Sequence, residues 1–287
     1  MKEQNYNYSF IIPHKNCPEL LKRCVDSIPD REDVQIIVVD DNSDADKKPS
    51  IDRKGVEVVL LDAEHSKGAG RARNIGLEHA KGKWLLFADA DDYYNEDFLS
   101  ILDKYINSSY DVIYFNFIYK DGITGQELKP LKFQKCFEEY DGTTEAKEQI
   151  RFHHNVPWTK MVSHEYIDKY HISFEETING NDILFSMMVG FYTNNIFVEK
   201  SPIYAYLCNQ NSILTTKETS NSALCRLIHL IKKNYFYEFI GHKEWKKSVG
   251  RRILHKFFSL GFPFVYELIK NCRSIYKSRK EWVIMFN

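Results

Sequence analysis

Phe87-Ala88-Asp89-Ala90-Asp91-Asp92-Tyr93 decides the fold and the chemistry together. It sets three carboxylates within four residues, directly after the apolar run Trp84 to Ala88. Carboxylates this close repel one another unless a positive charge sits among them. A divalent cation meets that need: Mg²⁺ or Mn²⁺ prefers carboxylate oxygens and shares its remaining positions with water and phosphates. The same residues also suit a solvated acidic turn ahead of a helix, with Asp92 or Asn95 as the cap.

Upstream of this turn, strand and helix signals alternate. Ser9 to Ile12 is a short apolar run closed by Pro13, and Val34 to Val39 and Val56 to Leu61 are rich in Val and Ile, as in strands covered on both faces. Leu20, Leu21, Cys24, Val25 and Ile28 recur at helical spacing up to Pro29; a second helix is expected over Ala69 to Ala80, stopped by Gly82. A fifth strand is expected over Asp111 to Tyr119. Such alternation predicts a doubly wound, mostly parallel α/β sheet flanked by helices. Ligands of such sheets bind outside the carboxyl ends of the strands, where Pro13-His14-Lys15-Asn16, Asp40-Asp41-Asn42-Ser43 and the acidic turn all fall. Beyond Tyr119 the pattern is irregular, with a helix near Asp182 to Gly190; from about Asn221 it is helical, forming a C-terminal extension.

Two of these clusters suit ligand contacts, and each has a plainer reading. Asp41 at a strand end suits a base N–H, although Asp and Asn there also form Asx turns on their own backbone. Lys67-Gly68-Ala69-Gly70-Arg71-Ala72-Arg73-Asn74 opens a helix, where backbone N–H groups and two arginines favour phosphate. It is not a dinucleotide fingerprint: it follows the third strand, and Arg73 stands where the last glycine should be.

Taken in order, Ile11-Ile12-Pro13…Asn16, Val38-Val39-Asp40-Asp41-Asn42-Ser43, Gly70-Arg71-Ala72-Arg73-Asn74-Ile75-Gly76 and Phe87 to Asp92 resemble the family-2 glycosyltransferases of GT-A type fold. Trp158-Thr159-Lys160, Asn181-Asp182 and Tyr204-Ala205-Tyr206…Asn211-Ser212-Ile213 extend the resemblance more weakly. It implies an inverting, metal-dependent transferase using Mn²⁺ or Mg²⁺. A hexose or N-acetylhexosamine would pass from a nucleotide diphosphate sugar, UDP-linked by expectation, to a saccharide or lipid-linked acceptor in surface polysaccharide synthesis. Carried over by position, it puts the donor on Pro13, His14, Asn16, Asp41, Arg73 and Asp89, the metal on Asp91 and Asp92, and the general base on Asp182. Trp158, Lys160 and Asn181 become acceptor-side or donor-side candidates. Two departures stand out: His14 and Lys15 replace the usual Thr or Ser and Tyr, and Asn181 replaces the usual Glu before the catalytic Asp. A sugar-phosphate nucleotidyltransferase lacks support, since no G-G-x-G-T-R-type loop is present. A degenerate carbohydrate-binding assembly partner is the remaining alternative, and the intact Asp91, Asp92 and Asp182 argue against it.

The bulk numbers bound the rest. With 43% hydrophobic and 28% charged residues the chain is an ordinary globular protein. Residues 1–215 are expected to form the nucleotide-sugar domain, and 216–287 a basic, aromatic-rich helical region. The six scattered cysteines suit reduced thiols in the cytoplasm. Neither a secretory signal nor an apolar run of about 18 residues is apparent. The net charge of −1 conceals an asymmetry: residues 217–287 carry 15 Lys and Arg against 5 Asp and Glu. There, Val249, Ile253, Leu254, Phe257 and Leu260 share one helical face, with Lys246, Lys247, Arg251, Arg252 and Lys256 on others. Such a helix suits either an anionic membrane surface or a core with a solvated outer face. Nucleic acid is not expected, for no recognition motif accompanies the basic residues. The resemblance favours the inner face of the cytoplasmic membrane.

Overall fold

Seven consecutive buried residues, Tyr8–His14, make the first strand (β1). Burial on both faces explains why they read as a continuous apolar run rather than an alternating one. The computed structural model describes residues 6–177, 179–208 and 218–271. Asn211 to Ile213, Cys272 and the rest of the tail lie outside the described residues, and the five described cysteines are free thiols. The chain divides into two compact units: Met1–Glu176 with Asn181–Ser212, and Thr177–Gly180 with Ile213–Asn287.

In the first unit β1 is followed by α1 (Pro18–Asp26), β2 (Val34–Asp40), β3 (Val56–Leu60), α2 (Ala69–His79), β4 (Trp84–Phe87) and β5 (Tyr93–Tyr94). Then come α3 (Phe98–Asp103), β6 (Val112–Asp121), α4 (Lys135–Glu138), α5 (Thr144–His153), β7 (Lys160–Ser163), α6 (His164–Tyr170), α7 (Asn181–Phe191) and β8 (Ile196–Cys208). The eight strands form one sheet in the order β3-β2-β1-β4-β7-β6-β8-β5. β1 runs parallel to both β2 and β4, and β2 parallel to β3, so the strand order reverses at β1. The other half is mixed: β7 is antiparallel to β4 and β6, β6 is parallel to β8, and β5 is antiparallel to β8.

Helix α2 shows how local sequence sets this packing. Its buried residues include Gly70, Ala72 and Gly76, small enough to bring the helix axis close to the sheet; a Cβ on Gly76 would lie 2.3 Å from Ile11 Cγ2. The helix ends at His79, and Ala80 is already extended. Gly82 therefore does not stop it, as the sequence suggested. Its role is close approach, since a Cβ there would meet Ser9 N at 2.5 Å and Tyr8 C at 2.6 Å. Ser9 Oγ accepts the Gly82 and Lys81 N–H groups at 2.8 and 3.2 Å and donates to Gln35 Oε1 at 2.7 Å, tying α2 to β1 and β2.

The second unit holds α8 (Ser220–Phe239), α9 (Val249–Leu260) and α10 (Phe262–Lys270). Thr219 and Ser248 cap α8 and α9 by accepting backbone N–H groups, as helix N-caps do. The stripe expected on α9 splits in two. Val249, Ile253 and Leu260 pack with Ile231 and Leu268 around buried Ala223, Leu227 and Phe264, whereas Leu254 and Phe257 are exposed. Lys256, expected on a charged outer face, is buried against Glu218. Three helices supply two inward directions, which a single-helix projection cannot reveal.

Because its Cβ would strike backbone rather than a movable side chain, Gly82→Ala is expected to destabilise the first unit by about 1–3 kcal/mol. Gly125, which has open space around it, is the control: Gly125→Ala should cost only the strain of its left-handed φ of +70°, about 1 kcal/mol. Urea unfolding of both variants measures the difference.

Candidate functional site

The carboxyl ends of β1 and β2 meet through a buried carboxylate. Asp40, paired in register with His14, accepts from His14 Nδ1 at 2.7 Å, Ser43 Oγ at 2.5 Å and Ser43 N at 3.0 Å. Cys17 N donates to His14 Nε2 at 3.2 Å, which places the imidazole proton on Nδ1. Both ring nitrogens are thus committed within the protein, and His14 is buried. Its expected donor contact is replaced by a structural one. Asn16, at φ 57°, donates its N–H to Ser43 Oγ and accepts from Asp44 N, both at 2.8 Å, locking the two loops together. Pro13 is buried in β1 opposite Val39.

Asp41 points the other way. Its carboxylate takes the Gly68 N–H at 3.1 and 3.2 Å and the Lys15 ammonium at 3.3 Å. The start of α2 is therefore occupied by the protein's own anion, as the helix dipole favours. Phosphate binding by the Gly68–Gly70 turn, expected from sequence, loses its N–H donor at Gly68. Arg71 and Lys67 are turned to Glu176, each at 3.4 Å.

The three carboxylates of the acidic turn occupy three different environments. Asp92 is buried, accepting from Leu207 N at 2.8 Å and Tyr204 Oη at 3.1 Å. Burial, then the nearby Asp91 and Asp89, push its carboxyl well above the ordinary carboxylate range. Both oxygens face inward, which corrects its expected place on a metal. Tyr204 Oη also accepts the Asp89 N–H at 2.9 Å, and Tyr204 is held by stacking on Trp158 at 4.8 Å and 16°. Trp158 lies between Tyr204 and Tyr206 and is itself buried, so it shapes the turn from behind instead of facing a substrate. Asp91 remains at the partly exposed edge, its carbonyl held by Arg23 Nη2 at 2.6 Å.

Arg73 joins this turn to α7. Its Nη2 meets Asp89 Oδ1 at 2.5 Å and its Nη1 meets Asn181 Oδ1 at 2.8 Å, with the guanidinium 5.4 Å from the Phe174 ring centroid. Arg73 is buried and Asp89 is 33% exposed. Expected to face the pyrophosphate, Arg73 instead bridges protein groups. Two neighbours on α2 reinforce the joint: Asn74 exchanges two hydrogen bonds with the Phe174 backbone, at 3.0 and 2.8 Å, and a Cβ on Gly70 would lie 2.0 Å from Glu175 O. Asp182, in the first turn of α7 beside Asn181, is partly exposed. The structure thus gathers Asp89, Arg73 and Asn181, with Asp182 next in the chain.

Beneath this edge lies Lys160, fully buried, its ammonium donating to His154 O at 2.8 Å and to Val156 O. It is a core residue and not the substrate contact expected. Burial lowers its pKa to about 7, partly offset by the charge of Asp182 and by Cys136. Sequence reasoning missed Asp40, Ser43 and Asn74 as the residues that brace the site. Asp40 had a signal in its place at the end of a wholly buried strand, where a carboxylate must find donors.

Among the described residues no group of three His, Cys, Asp or Glu side chains is arranged to hold a metal. The arrangement still fits Mg²⁺ or Mn²⁺, which are bound by one or two carboxylates plus substrate phosphates and not by an all-protein cage. Asp91, with Asp89 beside it, supplies that number.

Residues 9–170 match the family model for glycosyl transferase family 2. The chain is 23% identical to EpsH of Bacillus subtilis, with 88% of this chain and 81% of that protein aligned. Glycosyltransferase GlyG of Streptococcus pneumoniae is 26% identical, over 73% of each. Among solved structures, S. aureus TarS 1-349 in complex with UDP-GlcNAc matches with a TM-score of 0.59 at 19% identity, covering 82% of this chain and 72% of that one. The likeness in structure gives the GT-A type fold.

Lys160 provides a pH test of this architecture. A base whose folded pKa is lowered binds its proton less readily than in the unfolded chain. Between about pH 7 and the ordinary lysine value near 10.4 the unfolded state therefore holds more protons, and stability rises with pH. In Lys160→Met that rise is expected to vanish; urea unfolding at pH 7 to 10 of both proteins reads the difference in slope.

Proposed function

We propose that this chain, which belongs to glycosyl transferase family 2, moves a hexose or N-acetylhexosamine with inversion from a UDP-sugar to a saccharide or lipid-linked acceptor in surface polysaccharide synthesis. The work would take place in the cytoplasm, at the inner face of the membrane. The observation that carries the reading is the Arg73 bridge: one guanidinium ties the acidic turn to the residue before Asp182. That bridge supports reading Asp89 as a carboxylate on the diphosphate side and Asp182 as the base. The UDP part is supported by TarS, a structural relative crystallised with UDP-GlcNAc.

In this reading Asp182 takes the proton of the acceptor hydroxyl. The hydroxyl oxygen attacks the anomeric carbon from the side opposite the diphosphate, the sugar–phosphate C–O bond breaks, and its electron pair leaves with the nucleotide. Position at the start of α7 keeps Asp182 oriented, and general-base assistance is worth about 10²–10⁴ in rate. Asp41 selects the base of the nucleotide. Its carboxylate has about four acceptor sites, and with contacts from Gly68 and Lys15 among the described residues it retains capacity for a base N–H. Pro13 and Asn16 frame the same end of β1. Asp91, assisted by Asp89, holds Mn²⁺ or Mg²⁺ when it is bound, and the cation supplies charge neutralisation for the departing diphosphate.

Asp182→Asn is expected to keep UDP affinity, measured by calorimetry, while turnover falls about 10²–10⁴-fold. Loss of UDP binding with turnover per bound donor preserved would instead make Asp182 a helix cap. A second pair separates two neighbours in the chain. Asp91→Asn should abolish cation-supported transfer at an unchanged melting temperature, and EDTA should do the same to the wild type. Asp92→Asn should first lower the melting temperature, because a buried acceptor of two hydrogen bonds is altered. Full wild-type activity in EDTA would sink the metal assignment.

A further inference from the structure

Six large apolar side chains of the second unit stand in solvent on two adjoining helices. Leu254 and Phe258, one turn apart on α9, are 56% and 77% exposed; Phe262, Tyr266 and Ile269, at helical spacing along α10, are 81%, 66% and 66% exposed. Phe257 bridges the joint at Gly261, with its ring 5.6 Å from Phe258 and 6.0 Å from Phe262. The result is one continuous face, distinct from the inward face of Val249, Ile253 and Leu260. Scattered exposed apolar residues are ordinary, but a contiguous aromatic run of this kind marks an interaction surface.

Charge decides what it fits. Arg251, Arg252, His255 and Lys270 are exposed along the same two helices, and the one acid there, Glu267, is half-buried and hydrogen-bonded by Asn271. With a net charge of +10 over residues 217–287, two copies apposed through this face would bring like charges together, whereas an anionic surface would be attracted. Among the described residues no helix is long and apolar enough to cross a membrane. An apolar face with aromatic side chains and a basic border is suited to lie in the bilayer interface.

We propose that the joined face of α9 and α10, carried by Leu254, Phe258, Phe262, Tyr266 and Ile269 and bordered by Arg251, Arg252 and Lys270, seats on the surface of an anionic lipid bilayer. This deepens the proposed work on a membrane-side acceptor and rests on it for its biological sense. The physical claim is independent of it, because binding is measured without donor or acceptor.

The full chain is mixed with sedimentable vesicles of phosphatidylcholine alone, or of phosphatidylcholine and phosphatidylglycerol in equal parts, at low and high salt. The protein is expected to sediment with the anionic vesicles only, and less as salt rises. Phe258→Ser combined with Phe262→Ser should lose binding with an unchanged melting temperature, since both rings are exposed. Each of Arg251→Gln and Arg252→Gln should weaken binding roughly fivefold. Equal sedimentation with both vesicle types, or with neither, overturns the proposal. So does a wild-type dimer in analytical ultracentrifugation that the double serine variant converts to monomer, because the face is then a contact between copies. UDP-sugar hydrolysis by the same variants, without vesicles, reports on the transferase reading separately.

Discussion

Most of the site hangs on a single buried cation. Arg73 has been taken out of water, and a guanidinium so placed is tolerable only with acceptors in fixed positions. It finds one on Asp89, after β4, and another on Asn181, at the start of α7. The three groups constrain one another: the acidic turn cannot shift without leaving a buried charge unpaired, and α7 cannot slide along the sheet without giving up the same bond. Close packing at Gly70 and the reciprocal Asn74–Phe174 bonds remove the remaining freedom. Rigidity at this edge follows from the cost of unpaired burial more than from any strong attraction.

Adjacent acids in this chain have opposite duties. Asp40 and Asp41 leave β2 in different directions, one onto His14 and Ser43, the other onto the start of α2. Asp91 and Asp92 divide likewise, with Asp92 turned to Tyr204 and Leu207. Asp40 and Asp92 are thus both satisfied by protein groups, although Asp41 is buried as well, whereas Asp91 is partly exposed. Consecutive carboxylates in this chain therefore do not share one environment.

How much of this was legible depended on range. β1, β2 and β4 were visible because burial on both faces leaves a largely apolar run, and α1 because it has a clear helical period; β3, expected to be covered on both faces, is instead a partly exposed edge strand with Leu60 in solvent. β7 and β8 were not, since Lys160–Ser163 and Ile196–Cys208 carry charged residues within or beside short apolar stretches. Asp89, Asp91 and Asp182 were singled out by motif order. The inward turn of His14, Arg73 and Trp158 was not legible, because it is set by partners distant in the chain: Asp40, Asn181 and Tyr204 lie 26, 108 and 46 positions away. On α9 the helical period was right and the number of apolar faces was not, because α8 and α10 were needed to say which side is inside.

The partners of the acidic turn also carry a consequence for how the chain is made. Tyr204 and Leu207, which satisfy Asp92, lie 112 and 115 residues downstream. While the chain is being synthesised, β1 to β4 can pair as soon as they emerge, but Asp92 lacks its two donors until β8 arrives. Closing so long a loop is slow relative to local pairing. The edge proposed to carry the chemistry is thus complete only when β8 docks, and a nascent chain halted before β8 would hold a formed parallel sheet with Asp92 still lacking its donors.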